Sequence, residues 1–146
     1  MDGLARQATQ ANQVATAYSL MLFHVPNQPI ATAALWLQLS QRQSQQAARI
    51  RAARSAEMAQ HIALLDPRLS PLEKAQLLTE CAKAYRANGY DTLALFAIQQ
   101  VMHIAAQTPG WLPAQRSRLF SNLQPIFVDM PENAESKKLE LQINDF

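Results

Sequence analysis

Residues 70–106 read SPLEKAQLLTECAKAYRANGYDTLALFAIQQVMHIAA, and this stretch decides the fold. Ser70 precedes Pro71 and stands three residues before Glu73. A serine there can accept from an orphan backbone N–H of a first helical turn while the glutamate reaches back to the serine N–H. Proline suits that first turn, because its missing donor would have no helical partner anyway. A helix therefore starts at Pro71. Leu72, Ala75, Leu78, Ala82 and Tyr85 follow at three- and four-residue spacing and give it one apolar face. Gly89 ends it, since glycine takes the left-handed C-cap conformation without steric cost. From about Asp91 to Gln107, Ala94, Ala97, Ile98, Val101 and Ala105 mark a second helix. So short a connection makes the two helices pack antiparallel.

The hairpin over residues 78–106 resembles a tetratricopeptide repeat. Leu78 stands at that family's first large position, Ala82 at its small position and Tyr85 at its aromatic position. Gly89 falls at the turn, Ala94 at the small position opening the second helix, and Ile98 and Val101 at the next packing positions. The large-small pair reads Cys81-Ala82, and Pro109 comes a few residues later than the family's closing proline. A repeat implies neighbours, yet no second copy at a fixed period is visible. The alternative is an ordinary αα-hairpin in an irregular bundle.

Working outward, proline divides the rest of the chain at Pro26 and Pro29, at Pro67, at Pro109 and Pro113, and at Pro125 and Pro131. Such clusters read as connections, because proline removes a donor and clashes with the preceding turn. A first helix is expected from about Asn12 to His24, with Val14, Ala17, Tyr18, Met21 and Leu22 on one face. A second starts near Pro29 and runs to about Leu65, with a bend or break near Ser40 to Ser44 and an apolar stripe of Ile50, Met58, Ile62 and Leu65. A fifth spans about Pro113 to Leu123. The expected fold is all-α: antiparallel helical hairpins, tetratricopeptide-like or an irregular bundle of five to six helices. Residues 1–11 form a disordered or frayed lead and 12–130 a single α-helical domain. Residues 131–146 form a short amphipathic tail carrying Leu139, Leu141 and Ile143.

The chain has 146 residues, 49% hydrophobic and 16% charged. A domain of this size hides roughly two-thirds of its unfolded surface and needs no staple. Cys81 is the lone cysteine, so neither an internal disulfide nor a cysteine-built zinc site can form. That composition fits the cytoplasm. Met1-Asp2-Gly3 lacks the basic start of a secretory signal, and the apolar run from Ala17 to Val25 is too short to span a bilayer.

Chemistry finds little purchase. His24, His61 and His103 have no partner at i+3 or i+4, and Gly3, Gly89 and Gly110 are too far apart for a phosphate loop. Cys81 points to a helix core, without a base beside it. Glu73 and Glu80 read as solvated or paired with Lys74 or Lys83. No catalytic, cofactor-binding or metal-ligating residue is assigned, and the chain reads as a non-enzyme without a cofactor.

Interaction residues are easier to nominate. The net charge is only +2, but no acid lies between Asp2 and Glu57, while Arg42, Arg49, Arg51 and Arg54 do. Arginines 49, 51 and 54 wrap around a helix, which argues against a phosphate-tracking row and for a solvated helix or a contact with an acidic partner. Trp36 lies in the apolar run Leu35 to Leu37, and Trp111 beside a turn; each is a core residue or a binding anchor. The partner-binding candidates are Trp36, Arg49, Arg51, Arg54 and Trp111. The tetratricopeptide resemblance implies a protein-interaction module that binds a helix or peptide of another protein. It would serve as an adaptor or a small bacterial secretion or assembly chaperone. Two alternatives stand beside it: a nucleic-acid-binding regulator using the arginines at 42–54, and a homo-oligomeric subunit joined through a long second helix.

Overall fold

The computed structural model describes residues 28–131 and 133–145. The order is α1 Pro29–Gln45, α2 Arg49–Leu65, α3 Pro71–Ala87, α4 Asp91–Ala106, α5 Pro113–Leu123, a 3₁₀ turn Gln124–Phe127, and α6 Ala134–Asp145. No strand occurs among the described residues, so the fold is all-α. The expected lead 1–11 and helix 12–24 lie outside the described residues.

The α3 start is as the sequence requires. Glu73 N–H donates to Ser70 Oγ at 3.2 Å, and Ser70 N–H donates to Glu73 Oε1 at 2.9 Å. At the other end Gly89 adopts φ +82° and Tyr90 N–H donates to the Tyr85 carbonyl at 2.9 Å, closing the six-residue loop of a Schellman cap. Between α2 and α3, Asp66 accepts from the Arg68 backbone N–H and guanidinium. That clamp holds its carboxyl down to about 2.

The long second helix is corrected to two helices. The chain reverses at Gln46 to Ala48, beyond the expected break near Ser40 to Ser44. The turn copies the one at Gly89: Ala48 N–H donates to the Gln43 carbonyl at 2.8 Å, and Ala47 sits at φ +61°. An alanine in the left-handed region carries no sequence signal, so the polar run places the break a few residues early. The stripe is corrected as well. Ile50, Met58 and Leu65 are exposed, Ile62 alone of the four packs against the core, and α2 turns Ala52, Ala53, Ala56, Ala59 and Ala63 inward.

The two hairpins are copies. Pro29, Pro71 and Pro113 each open a helix, 42 residues apart. Equivalent positions are buried in all three units: Trp36, Leu78 and Phe120; Leu39, Cys81 and Leu123. In the returning helices the small position is Ala52, Ala94 and Ser136, and a deeper one is Ala59, Val101 and Ile143. Size is traded across each hairpin. The first unit sets Trp36 against alanines, while the second sets Leu78 against Ile98 and Val101. Cores that conserve total volume tolerate such exchange, and it erases the period from the sequence. In the third unit Pro125 interrupts the first helix, and the 3₁₀ turn replaces its last turn.

Packing follows the repeat. α1 meets α3 and α3 meets α5 on one side; α4 meets α6 on the other, and α2 lies against both α1 and α3. Leu139 and Ile143 are buried, so the C-terminal segment is a helix docked on the body, with Leu141 outside. The apolar core runs through all three units.

Candidate interaction groove

Two clefts adjoin along the side built by the opening helices. One, of about 560 Å³, lies between α1 and α3 and is lined by Ala34, Gln38, Gln41, Lys83, Ala84 and Ala87 among others. The second, of about 330 Å³, lies between α3 and α5 and is lined by Gln76, Thr79, Glu80, Gln115, Arg118 and Asn122 among others. Glu80 belongs to both. It forms the ridge between them, and its carboxylate holds Lys83 Nζ at 3.1 Å.

The repeat places these residues in rows. Ala34, Gln76 and Arg118 are equivalent positions of the three units, and so are Gln38, Glu80 and Asn122. Each opening helix thus gives one side chain to each row. Side chains at i, i+3 and i+7 share a helix face, so Gln38, Gln41 and Gln45 stand along the α1 wall. The lining is rich in carboxamides, which donate and accept together. The exposed small residues Ala34 and Ala87 keep the floor of the α1–α3 cleft open.

Behind this surface a polar relay ties three helices together. Tyr85 Oη donates to Gln60 Oε1 at 2.6 Å, and Gln60 Nε2 donates to Gln100 Oε1 at 2.8 Å. In the first unit Ser55 Oγ donates to Gln43 Oε1 at 2.6 Å and Ser40 Oγ to the Ala52 carbonyl at 2.7 Å. Gln43 is the repeat equivalent of Tyr85, and both bond to α2: Gln43 within the first hairpin, Tyr85 between the first unit and the second.

The nominated residues scatter. Trp36 is 2% exposed and belongs to the core, which removes it from the binding candidates. Trp111 is half-buried with the Arg116 guanidinium 5.7 Å from its ring centroid, beside the α5 start. Arg49, Arg51 and Arg54 are exposed on α2, which contributes no residue to either cleft. None of the five lines the two clefts. The groove residues escaped sequence reading because glutamines and alanines on a helix look like any solvated face. The signal that could have found them is the 42-residue spacing of Pro29, Pro71 and Pro113.

Cys81 is buried, donates weakly to the Ala56 carbonyl at 3.6 Å, and has its thiol pushed up to about 12 by desolvation. It is therefore a core side chain held as the neutral thiol. Glu73 serves the helix cap and Glu80 the Lys83 pair. Glu57 stands one turn before His61, 3.8 Å away, both well exposed. No cluster of three or more potential metal ligands occurs among the described residues. Among them, too, no helix is long and apolar enough to cross a membrane.

Comparison with protein-family models, with curated proteins and with solved structures finds no match.

Proposed function

We propose that this chain is a protein-interaction module of the tetratricopeptide kind, acting as an adaptor or a small assembly or secretion chaperone. It holds a segment of a partner protein in the groove across α1, α3 and α5. The observation that carries this reading is the pair of rows, Ala34-Gln76-Arg118 and Gln38-Glu80-Asn122, contributed one residue per unit to two adjoining clefts that share Glu80. Stacked hairpins use such a surface for extended contacts. Carboxamides suit the main-chain N–H and C=O groups of an extended segment, or the polar flank of a helix. The unit of 42 residues is longer than the roughly 34 of a tetratricopeptide repeat.

The test is selection of peptides from a displayed random library on the full chain, followed by backbone-amide NMR titration. The selected peptides should shift the amides of Gln38, Gln41, Lys83 and Ala87. Ala87→Trp, which fills the groove from an exposed position, should weaken binding at least about tenfold, a change of about 1.4 kcal/mol, at unaltered melting temperature. Peptides that perturb only other surfaces, or that bind Ala87→Trp as well as wild type, would refute the groove.

A further inference from the structure

We infer a second docking surface on the outward face of α2, shaped for an acidic amphipathic helix of a partner protein. It is separate from the groove and does not depend on it.

The face is a single stripe. Ile50, Arg54, Met58, His61 and Leu65 follow at steps of four, four, three and four residues, one side chain per turn. Ile50 is 64% exposed, Met58 36% and Leu65 77%. Arg54 and His61 are exposed between them, so apolar and basic side chains alternate over a length of about 22 Å. The inward face of α2 is taken by its alanines, Ser55 and Gln60, with Ile62 and Leu64 partly buried against the core, so the core has no claim on Ile50, Met58 or Leu65.

Charge selects the occupant. From Gln28 to Ala56 the chain has four arginines, at 42, 49, 51 and 54, and no acid. All four are exposed and form no ion pair among the described residues. The α2 N-terminus adds the positive end of its dipole. Glu57, 3.8 Å from His61, is the one carboxylate within α2. A partner offering carboxylates between apolar side chains matches it.

Spacing selects a helix. A partner helix repeats a contact about every 5.4 Å, the step of the stripe itself. An extended strand repeats on one face about every 6.6 Å and falls out of register within a few contacts. Nucleic acid fits less well, because three apolar side chains occupy the stripe. Residues 1–27 hold one acid, Asp2, against Arg6, and lack the complementary charge. The C-terminal part of a second copy, which carries Asp129, Glu132, Glu135, Glu140 and Asp145, is no better, since exposed Lys137 and Lys138 flank Leu141 there.

The experiment uses the full chain against a displayed library of 16-residue helical peptides, with the groove blocked by Ala87→Trp so that failure here is separable from failure of the groove. The enriched peptides should carry Leu, Ile or Met two turns apart with Asp or Glu between them. Met58→Asp should lower their affinity at least tenfold, and Arg54→Glu should turn the preference at the facing position to Lys or Arg. Both substituted positions are exposed, and an unchanged melting temperature checks the fold. Enrichment without acidic preference, an identical set selected by Arg54→Glu, or binding that Met58→Asp leaves intact would overturn the proposal. So would a gel shift with duplex DNA or RNA, or a concentration-dependent dimer, abolished by the same two substitutions while no peptide is enriched.

Discussion

The Tyr85 hydroxyl donates to Gln60 Oε1 at 2.6 Å across 25 residues of chain, joining the opening helix of the second unit to the returning helix of the first. Burial raises the Tyr85 pKa, and both side chains are largely shielded from water. The bond is therefore a seam between repeats. Tyr85→Phe leaves Gln60 Oε1 without its donor and should destabilise by about 1–3 kcal/mol. Gln60→Ala should cost a similar amount, and the double variant clearly less than the sum, because the pair forms one network. Urea denaturation of the four proteins checks this. Additive losses would show that the two side chains act independently.

Left-handed residues offer a cleaner contrast. Gly89 has φ +82°, and a Cβ added there would meet nothing within 4 Å. Gly89→Ala therefore meets no clash and loses stability through backbone strain alone, about 1 kcal/mol. Ala47 occupies the matching turn at φ +61°. Ala47→Gly should relieve that strain and raise stability by up to about 1 kcal/mol. Gly110 has no such conformation and an equally open surrounding, so Gly110→Ala should be neutral or stabilise by about 0.4–1 kcal/mol. The melting temperatures should thus order as Ala47→Gly above wild type above Gly89→Ala.

The pH dependence follows from two buried acids. Burial raises Cys81 from an ordinary 9.0 to about 12, and burial raises Tyr85 as well. Each folded pKa exceeds the unfolded one. Their contribution to stability is complete below about pH 9 and is lost as pH climbs toward the folded values. The melting temperature should hold from neutrality to about pH 9 and then fall, and Cys81→Ala should flatten the first part of that fall. At the other extreme Asp66, held near 2 chiefly by the Arg68 guanidinium, favours the fold above the ordinary carboxylate range and loses that effect as pH drops toward 2. Native Cys81 should also resist thiol reagents at neutral pH, reacting only as the chain opens.

How much of this was legible varies by unit. Residues 70–106 were readable because every signal agreed: the Ser70–Glu73 box, Pro71, the stripe ending at Tyr85, and Gly89. Residues 29–65 carry the same fold with weaker marks. Gln43 replaces the tyrosine and Ala47 replaces the glycine, and the inward face of α2 is almost all alanine. Hydrophobicity then pointed to Ile50, Met58 and Leu65, which face out. The groove was harder still, since its rows exist only once three units are aligned. Trp36 and Trp111, chosen for size, turned out to serve the core and the α5 turn.

That inversion on α2 yields the sharpest mutational contrast. Ala52, Ala56, Ala59 and Ala63 are wholly buried, and close approach of α2 to its neighbours depends on their single methyl groups. Cys81 Sγ lies 3.6 Å from the Ala56 carbonyl, so α2 and α3 approach closely at that level. Ala56→Leu should force the helices apart and cost about 1–3 kcal/mol or more. Leu65→Ser and Ile50→Ser delete side chains of conventional core type, yet each should stay within about 0.5 kcal/mol of wild type, because both are already exposed. Thermal unfolding of these three variants decides which face of α2 meets the core. If the serine variants melt well below wild type and Ala56→Leu does not, α2 must be rotated by about half a turn, with Ile50 and Leu65 inward and its alanines facing solvent.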